Sequence, residues 1–130
     1  MDKKTISTAA LLGMIAIILG AFGAHALKAL LSNEQLNTFE TGVRYQMYHA
    51  LFLLFVGLSS FINPKTKKII YNLVLSGVLL FSGSIYLLAT NNLTSFDFKV
   101  IGFVTPIGGL LLISAWAVLL YSITKKSDKN

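Results

Sequence analysis

The sequence predicts an all-α membrane protein: four transmembrane helices in a compact bundle, with a short interfacial amphipathic helix between the first and second spans. Four stretches, residues 5–24, 47–62, 69–89 and 100–123, contain no Asp, Glu, Lys or Arg. The chain is also 55% hydrophobic and 12% charged, which is not the composition of a soluble domain. A bilayer core about 30 Å thick takes roughly 17–25 helical residues, and three of the stretches supply them. The second is long enough if its helix begins at residue 46, with Tyr45 and Tyr48 as interfacial anchors. The chain thus reads as a single integral membrane domain over residues 1–130, with spans at 5–24, 46–62, 69–89 and 100–123.

The first span is rich in small residues, and Ala16, Gly20 and Ala24 form a stripe along which another helix can approach closely. Lys3, Lys4 and the Ala24-His25-Ala26 sequence imitate a signal peptide, but the apolar run is too long for one and three more follow. Residues 28–44 are too polar to span. Ser32 and Gln35 make a capping-box start, and Leu36, Phe39 and Val43 then fall on one face. That pattern suits a short helix lying in the outer interface and ending near Gly42, with Glu34 and Glu40 facing water.

Asn63-Pro64 closes the second span, and residues 65–68 form a lysine-rich turn. Ser82-Gly83-Ser84 interrupts the third span. Asn92-Leu93-Thr94, in the outer turn, matches a glycosylation sequon that matters only in a secretory compartment. The fourth span carries Thr105-Pro106-Ile107-Gly108-Gly109, where a proline inside a helix would free the Gly102 carbonyl and kink the axis.

Orientation follows from the lysines. Lys3, Lys4, Lys65, Lys67, Lys68, Lys125, Lys126 and Lys129 fall on one side of a four-span arrangement. Only Lys28, Arg44 and Lys99 fall on the other, balanced by Glu34, Glu40 and Asp97. Eight against three places both termini in the cytoplasm. The net charge of +6 reflects this topology, and lysines dispersed over short segments make no nucleic-acid footprint. The absence of cysteine removes disulfides, thiolate catalysis and Cys-based metal sites.

At about 1.5 Å per residue, residues 82–84 and 105–109 fall at one level of the bilayer, in its outer half. His25 and His49, at the outer ends of the first two spans, fall slightly above. The expected site is therefore an outer-leaflet polar cluster of His25, Tyr45, His49, Ser82, Ser84 and Thr105. Haem or metal ligation by His25 and His49 is one reading, but no cysteine or intramembrane carboxylate completes a ligand set, and no cofactor is expected. Proton-coupled transport would need a charged residue in a span, and none is present. An enzyme would need a base beside Ser82, Ser84, Thr90 or Thr105, and His49 is the one candidate. Two readings stay open. One is a structural or accessory bundle whose partners are the lipid bilayer and a homo-oligomer or other membrane protein. The alternative is small-molecule, lipid or ion binding or transport through an outer-leaflet cavity.

Four motifs in order, GAFGAH (20–25), YQMYHAL (45–51), FSGSIYLL (81–88) and TPIGGLLLISAW (105–116), closely resemble those of the small bacterial membrane proteins of the domain of unknown function 423 family. That family is itself similar to a small eukaryotic transmembrane group. The resemblance covers nearly the whole chain. It implies a four-span protein of the bacterial inner membrane with no established activity, and it supplies no site residues. Ala26 stands where the family carries a glycine, a departure that concerns only the shape of that turn.

Overall fold

The computed structural model describes residues 2–128, with side chains to residue 125, so Lys129 and the side chain of Lys126 lie outside it. The described residues are all-helical: α1 (Lys3–His25), α2 (Asn33–Leu58), α3 (Pro64–Ala89) and α4 (Val104–Asp128). Short 3-10 turns at Leu27–Ala29, Asn91–Leu93 and Phe98–Ile101 occupy the links. Three stretches, Lys3–Ala29, Pro64–Ala89 and Phe98–Lys125, are long and apolar enough to cross a membrane. α2 falls short because its first half is polar.

Local chemistry sets the helix starts. Asp2 caps α1 by accepting from the Thr5 N–H, and Asn63 caps α3 with Pro64 in the first turn. The Ser32/Gln35 capping box forms as the sequence predicts. It does not open a separate interfacial helix, however. Asn33–Leu58 is one uninterrupted helix that runs straight through Gly42. Gly42 is a packing position and no stop: a Cβ there would come within 2.7 Å of Tyr86 Cε1. The kink expected at Pro106 is also absent. α4 begins at Val104, so Pro106 stands in the first helical turn, where no intrahelical partner awaits its missing N–H.

Close contacts along the helices fix an antiparallel order. On α1 and α2, Gly57 meets Ile6, Gly13 meets Ala50, Gly20 meets Val43 and Gly23 meets Phe39. On α3 and α4, Gly77 meets Leu112, Gly108 meets the Phe81 backbone and Ser84 bonds Thr105. Between α2 and α3, Lys67 reaches Gly57 while Ser82 reaches Gly42. Each helix therefore packs chiefly on its neighbour in sequence, α1 runs parallel to α3, and the starts of α1 and α3 lie at the same end as the close of α4. The shared level expected for residues 82–84 and 105–109 is what the Ser84–Thr105 bond displays. The main core joins Leu53, Val56, Ile70, Val74 and Ala115, and a smaller one under the α1–α2 link joins Leu27, Leu31, Phe39 and Ala89.

A polar knot closes the end where the chain begins. The Asp2 N–H donates to the Gly57 carbonyl at 3.1 Å, and Lys67 Nζ approaches the same oxygen at 3.4 Å. This carbonyl belongs to the last turn of α2, which has no helical donor of its own. Lys67, assigned to a lysine-rich turn by the sequence, lies in the first turn of α3 and is 7% exposed. The Asp2 carboxylate accepts from both the Thr5 hydroxyl (2.7 Å) and the Thr5 N–H (3.2 Å). These bonds, with Thr5 first and Lys67 a smaller influence, hold the Asp2 carboxyl below its usual 3.8.

Two outcomes are expected from this packing. Gly108→Ala, whose Cβ would land on the Phe81 backbone, destabilises by about 1–3 kcal/mol or more, while Gly83→Ala, which meets open space, stabilises by roughly 0.5–1 kcal/mol. Reversible unfolding in detergent or bicelles measures both. The Asp2 carboxyl binds its proton less readily folded than unfolded, so its contribution is full above the unfolded value and fades as pH falls through the lowered folded one. In melting curves from pH 7 downward, Asp2→Asn is less stable at neutral pH, and its deficit narrows below about pH 4. A deficit independent of pH would contradict this.

Candidate functional site

The structure divides the six expected cluster residues among separate contacts. Ser82 faces α2 and donates to the Gly42 carbonyl at 2.7 Å. Ser84, two residues on, faces the other way, bonding Thr105 of α4 and the Phe81 carbonyl. Tyr45 lies over Phe81 with ring centroids 5.1 Å apart. His25 closes α1 with an exposed side chain and no hydrogen-bond partner among the described residues.

His49 is 5% exposed and is held at both ring nitrogens. Its Nδ1 lies 2.7 Å from the Tyr45 carbonyl, and Trp116 Nε1 donates to its Nε2 at 3.1 Å. An indole N–H can only donate, so Nε2 accepts and the proton sits on Nδ1, donated to Tyr45. Trp116 also stacks on Phe52 at 4.0 Å between centroids. The continuous α2 changes the depth expected of His49. Gln46 reaches Leu12, and Ala50 lies beside Gly13, so His49 stands halfway along α1. His25 is about twelve residues farther on, about 18 Å of helix rise, too far for one bound group to bridge the pair.

Sequence reasoning missed Gln46. Its Nε2 donates to the Leu12 carbonyl at 2.8 Å, and its Oε1 accepts from the Tyr86 hydroxyl at 2.7 Å. One amide thus joins three helices. Tyr86 packs over Phe39 at 5.1 Å between centroids. Thr8 and Tyr71 add a 3.0 Å bond between α1 and α3. The available signal was an amide three residues from His49, on the same helical face, in a helix that becomes apolar within one turn. Placing the second span's start at residue 46 excused that amide as interfacial.

A groove of about 340 Å³ opens between α2, α3 and α4, lined by Tyr45, His49, Phe81, Gly109, Leu112, Ile113 and Trp116. The His49–Trp116 bond forms part of its wall, so its polar atoms are largely occupied by each other. Among the described residues no three His, Asp or Glu side chains gather as a metal site, and every buried side-chain N or O has a partner.

Long apolar helices with polar side chains bonded across their interfaces define a helical integral membrane protein. The chain belongs to the family described as protein of unknown function (DUF423), which matches residues 19–109. It is 39% identical over 123 residues to a UPF0382 membrane protein of Staphylococcus haemolyticus, covering 95% of this chain and 97% of that one. The corresponding protein of Haemophilus influenzae is 38% identical over 128 residues, covering 98% and 99%. That of Bacillus subtilis is 34% identical, covering 95% and 98%. No solved structure matches the chain. The protein is therefore a bacterial membrane protein of a family whose function is unknown.

If the Gln46 amide ties the helices, Gln46→Leu and Tyr86→Phe each destabilise the fold. Their double-mutant cycle should show coupling of about 0.6–1.7 kcal/mol, the range for hydrogen bonds between membrane helices. Fluorescence of Trp116, the chain's one tryptophan, reports the unfolding. Strictly additive losses would refute the bond's contribution.

Proposed function

We propose that the protein is a four-span bundle of the bacterial cell membrane with both termini cytoplasmic, one membrane domain serving a structural or accessory role. The observation that carries the role is the internal satisfaction of polar groups. Gln46, Tyr86, Ser82, Ser84, Thr105, His49 and Trp116 all engage one another or a backbone carbonyl across helix interfaces. Catalytic and ligand sites keep some of their polar groups free to meet a substrate. Here those groups latch helices, as hydroxyls and amides do inside membrane bundles. The groove beside His49 favours the ligand-binding alternative in shape, but its imidazole and indole nitrogens are bonded to protein.

The four-span topology is supported by the parallel run of α1 and α3. Two parallel spans in one chain require a return crossing, and α2 is the segment between them. The lysines of the first turns of α1 and α3 and of the end of α4 share one end of the bundle, and the positive-inside rule assigns that end to the cytoplasm.

A cysteine-free chain makes the test direct. Asn33→Cys and Asn92→Cys should react with a membrane-impermeant maleimide on intact cells, and Ser60→Cys only after permeabilisation. Asn33→Cys and Ser60→Cys reacting from the same side would remove the crossing by α2. For the role, purified protein should carry neither a Soret band nor stoichiometric metal. A band or metal lost in His49→Ala would replace the structural reading with ligation.

A further inference from the structure

α2 has one face that no other helix of the chain covers. Thr41, Arg44, Tyr48, Leu51, Phe55 and Leu58 recur along it at alternating steps of four and three residues. The last four are each more than half exposed, as are the side chains of Arg44 and Glu40. This alternation is the spacing of one helix face and matches the seam of two helices in a left-handed supercoil; the charges set the face apart. The face also carries two formal charges, Arg44 and Glu40, within the apolar length of α1. Val43 lies beside Gly20 and Phe39 beside Gly23, so Arg44 and Glu40 stand level with the charge-free outer part of α1. The outward faces of α1 and α4 differ in kind: Leu11, Met14, Ile17 and Ile18 on one, Leu110, Ile113 and Leu120 on the other. Those faces suit lipid. Charges at such depth normally face protein or a water-filled cavity.

We propose that this face of α2 is the interface of a parallel homodimer, covered by the same face of a second copy. The inference rests on the reading that α2 crosses the membrane. A two-fold axis along the bilayer normal sets equivalent residues at equal depth. Glu40 of each copy then lies one helical turn from Arg44 of the other, and two reciprocal ion pairs form from a 3.1 Å pair already made within each helix. Thr41 and Tyr48 border this four-charge cluster. Leu51, Phe55 and Leu58 interdigitate below it.

Crosslinking in native membranes tests the dimer. Leu51→Cys and Phe55→Cys, oxidised separately, should each give a species of doubled mass, while Met14→Cys and Leu110→Cys on the lipid faces should not. On the Leu51→Cys background, Arg44→Glu and Glu40→Arg should each lose the crosslink alone and regain it when the two variants are co-expressed. Rescue in trans cannot arise from an ion pair confined to one helix. Equal crosslinking at all four positions, none at Leu51→Cys and Phe55→Cys, or no rescue in trans would overturn the proposal. Reaction of Leu51→Cys with an impermeant maleimide would instead mean that α2 does not cross. A Leu51→Cys that neither reacts nor crosslinks refutes the dimer alone.

Discussion

The Gln46 amide makes two bonds in the middle of the helices, where water cannot substitute for either. An unpaired amide in an apolar medium costs several kcal/mol, so a chain that keeps one there must bring both partners to it. The Leu12 carbonyl already serves α1's own ladder and accepts the second bond on its remaining lone pair. The Tyr86 hydroxyl arrives from the opposite side. Once these are in place, α1, α2 and α3 can no longer slide past one another. Tyr86 is drawn against Phe39 and the bare backbone of Gly42, and Ser82, one turn earlier, meets the Gly42 carbonyl.

Small residues make this geometry reachable. Lipid chains are as apolar as leucine, so close packing and polar bonds hold membrane helices together, with no hydrophobic term between them. Gly57 admits Ile6, Gly77 admits Leu112, and Gly108 lets α4 press on the α3 backbone at Phe81. The stripe of Ala16 and Gly20 faces α2, whereas Ala24 stays exposed. α4 lies against α3 along its length and is tied to α2 near Trp116, through the His49 bond and the Phe52 stack. The groove between α2 and α4 is the gap left where that tie ends.

Much of this was legible in the sequence, and what was not has a common cause. Charge-free runs gave the helices, and a constant rise per residue gave the level shared by Ser84 and Thr105. Their facing faces could not be read, because Ser82 and Ser84 lie two residues apart and point to different neighbours. A reading that treats polarity as a measure of distance from the membrane lays residues 28–44 in the interface with Gln46 at its edge, which cuts α2 in two and lifts His49 too high. In the structure those polar residues are either bonded across helices, as Gln46 is, or carried on the outward face, as Arg44 is. Composition reports how much polarity a helix has. It is silent on which side the polarity lies. Pro106 misled for a related reason: an apolar run does not reveal where its helix begins, and the first turn is the one place a proline is harmless.

Arg44 and Gln46 are two residues apart on one helix, and they set the same physical problem on opposite sides of it. Inside, the amide is answered by α1 and α3, and the answer orders three helices. Outside, the guanidinium has only Glu40, on a face more than half open. An intrahelical pair of this kind contributes a few tenths of a kcal/mol at a water-exposed surface and does little to offset the desolvation of two charges in hydrocarbon. With α2 a span, as proposed, the outer problem therefore needs an answer from beyond the chain. Long side chains reaching up to the headgroups can supply one for Arg44. A second copy would supply one for both charges at once, each Glu40 meeting the other copy's Arg44 as well as its own.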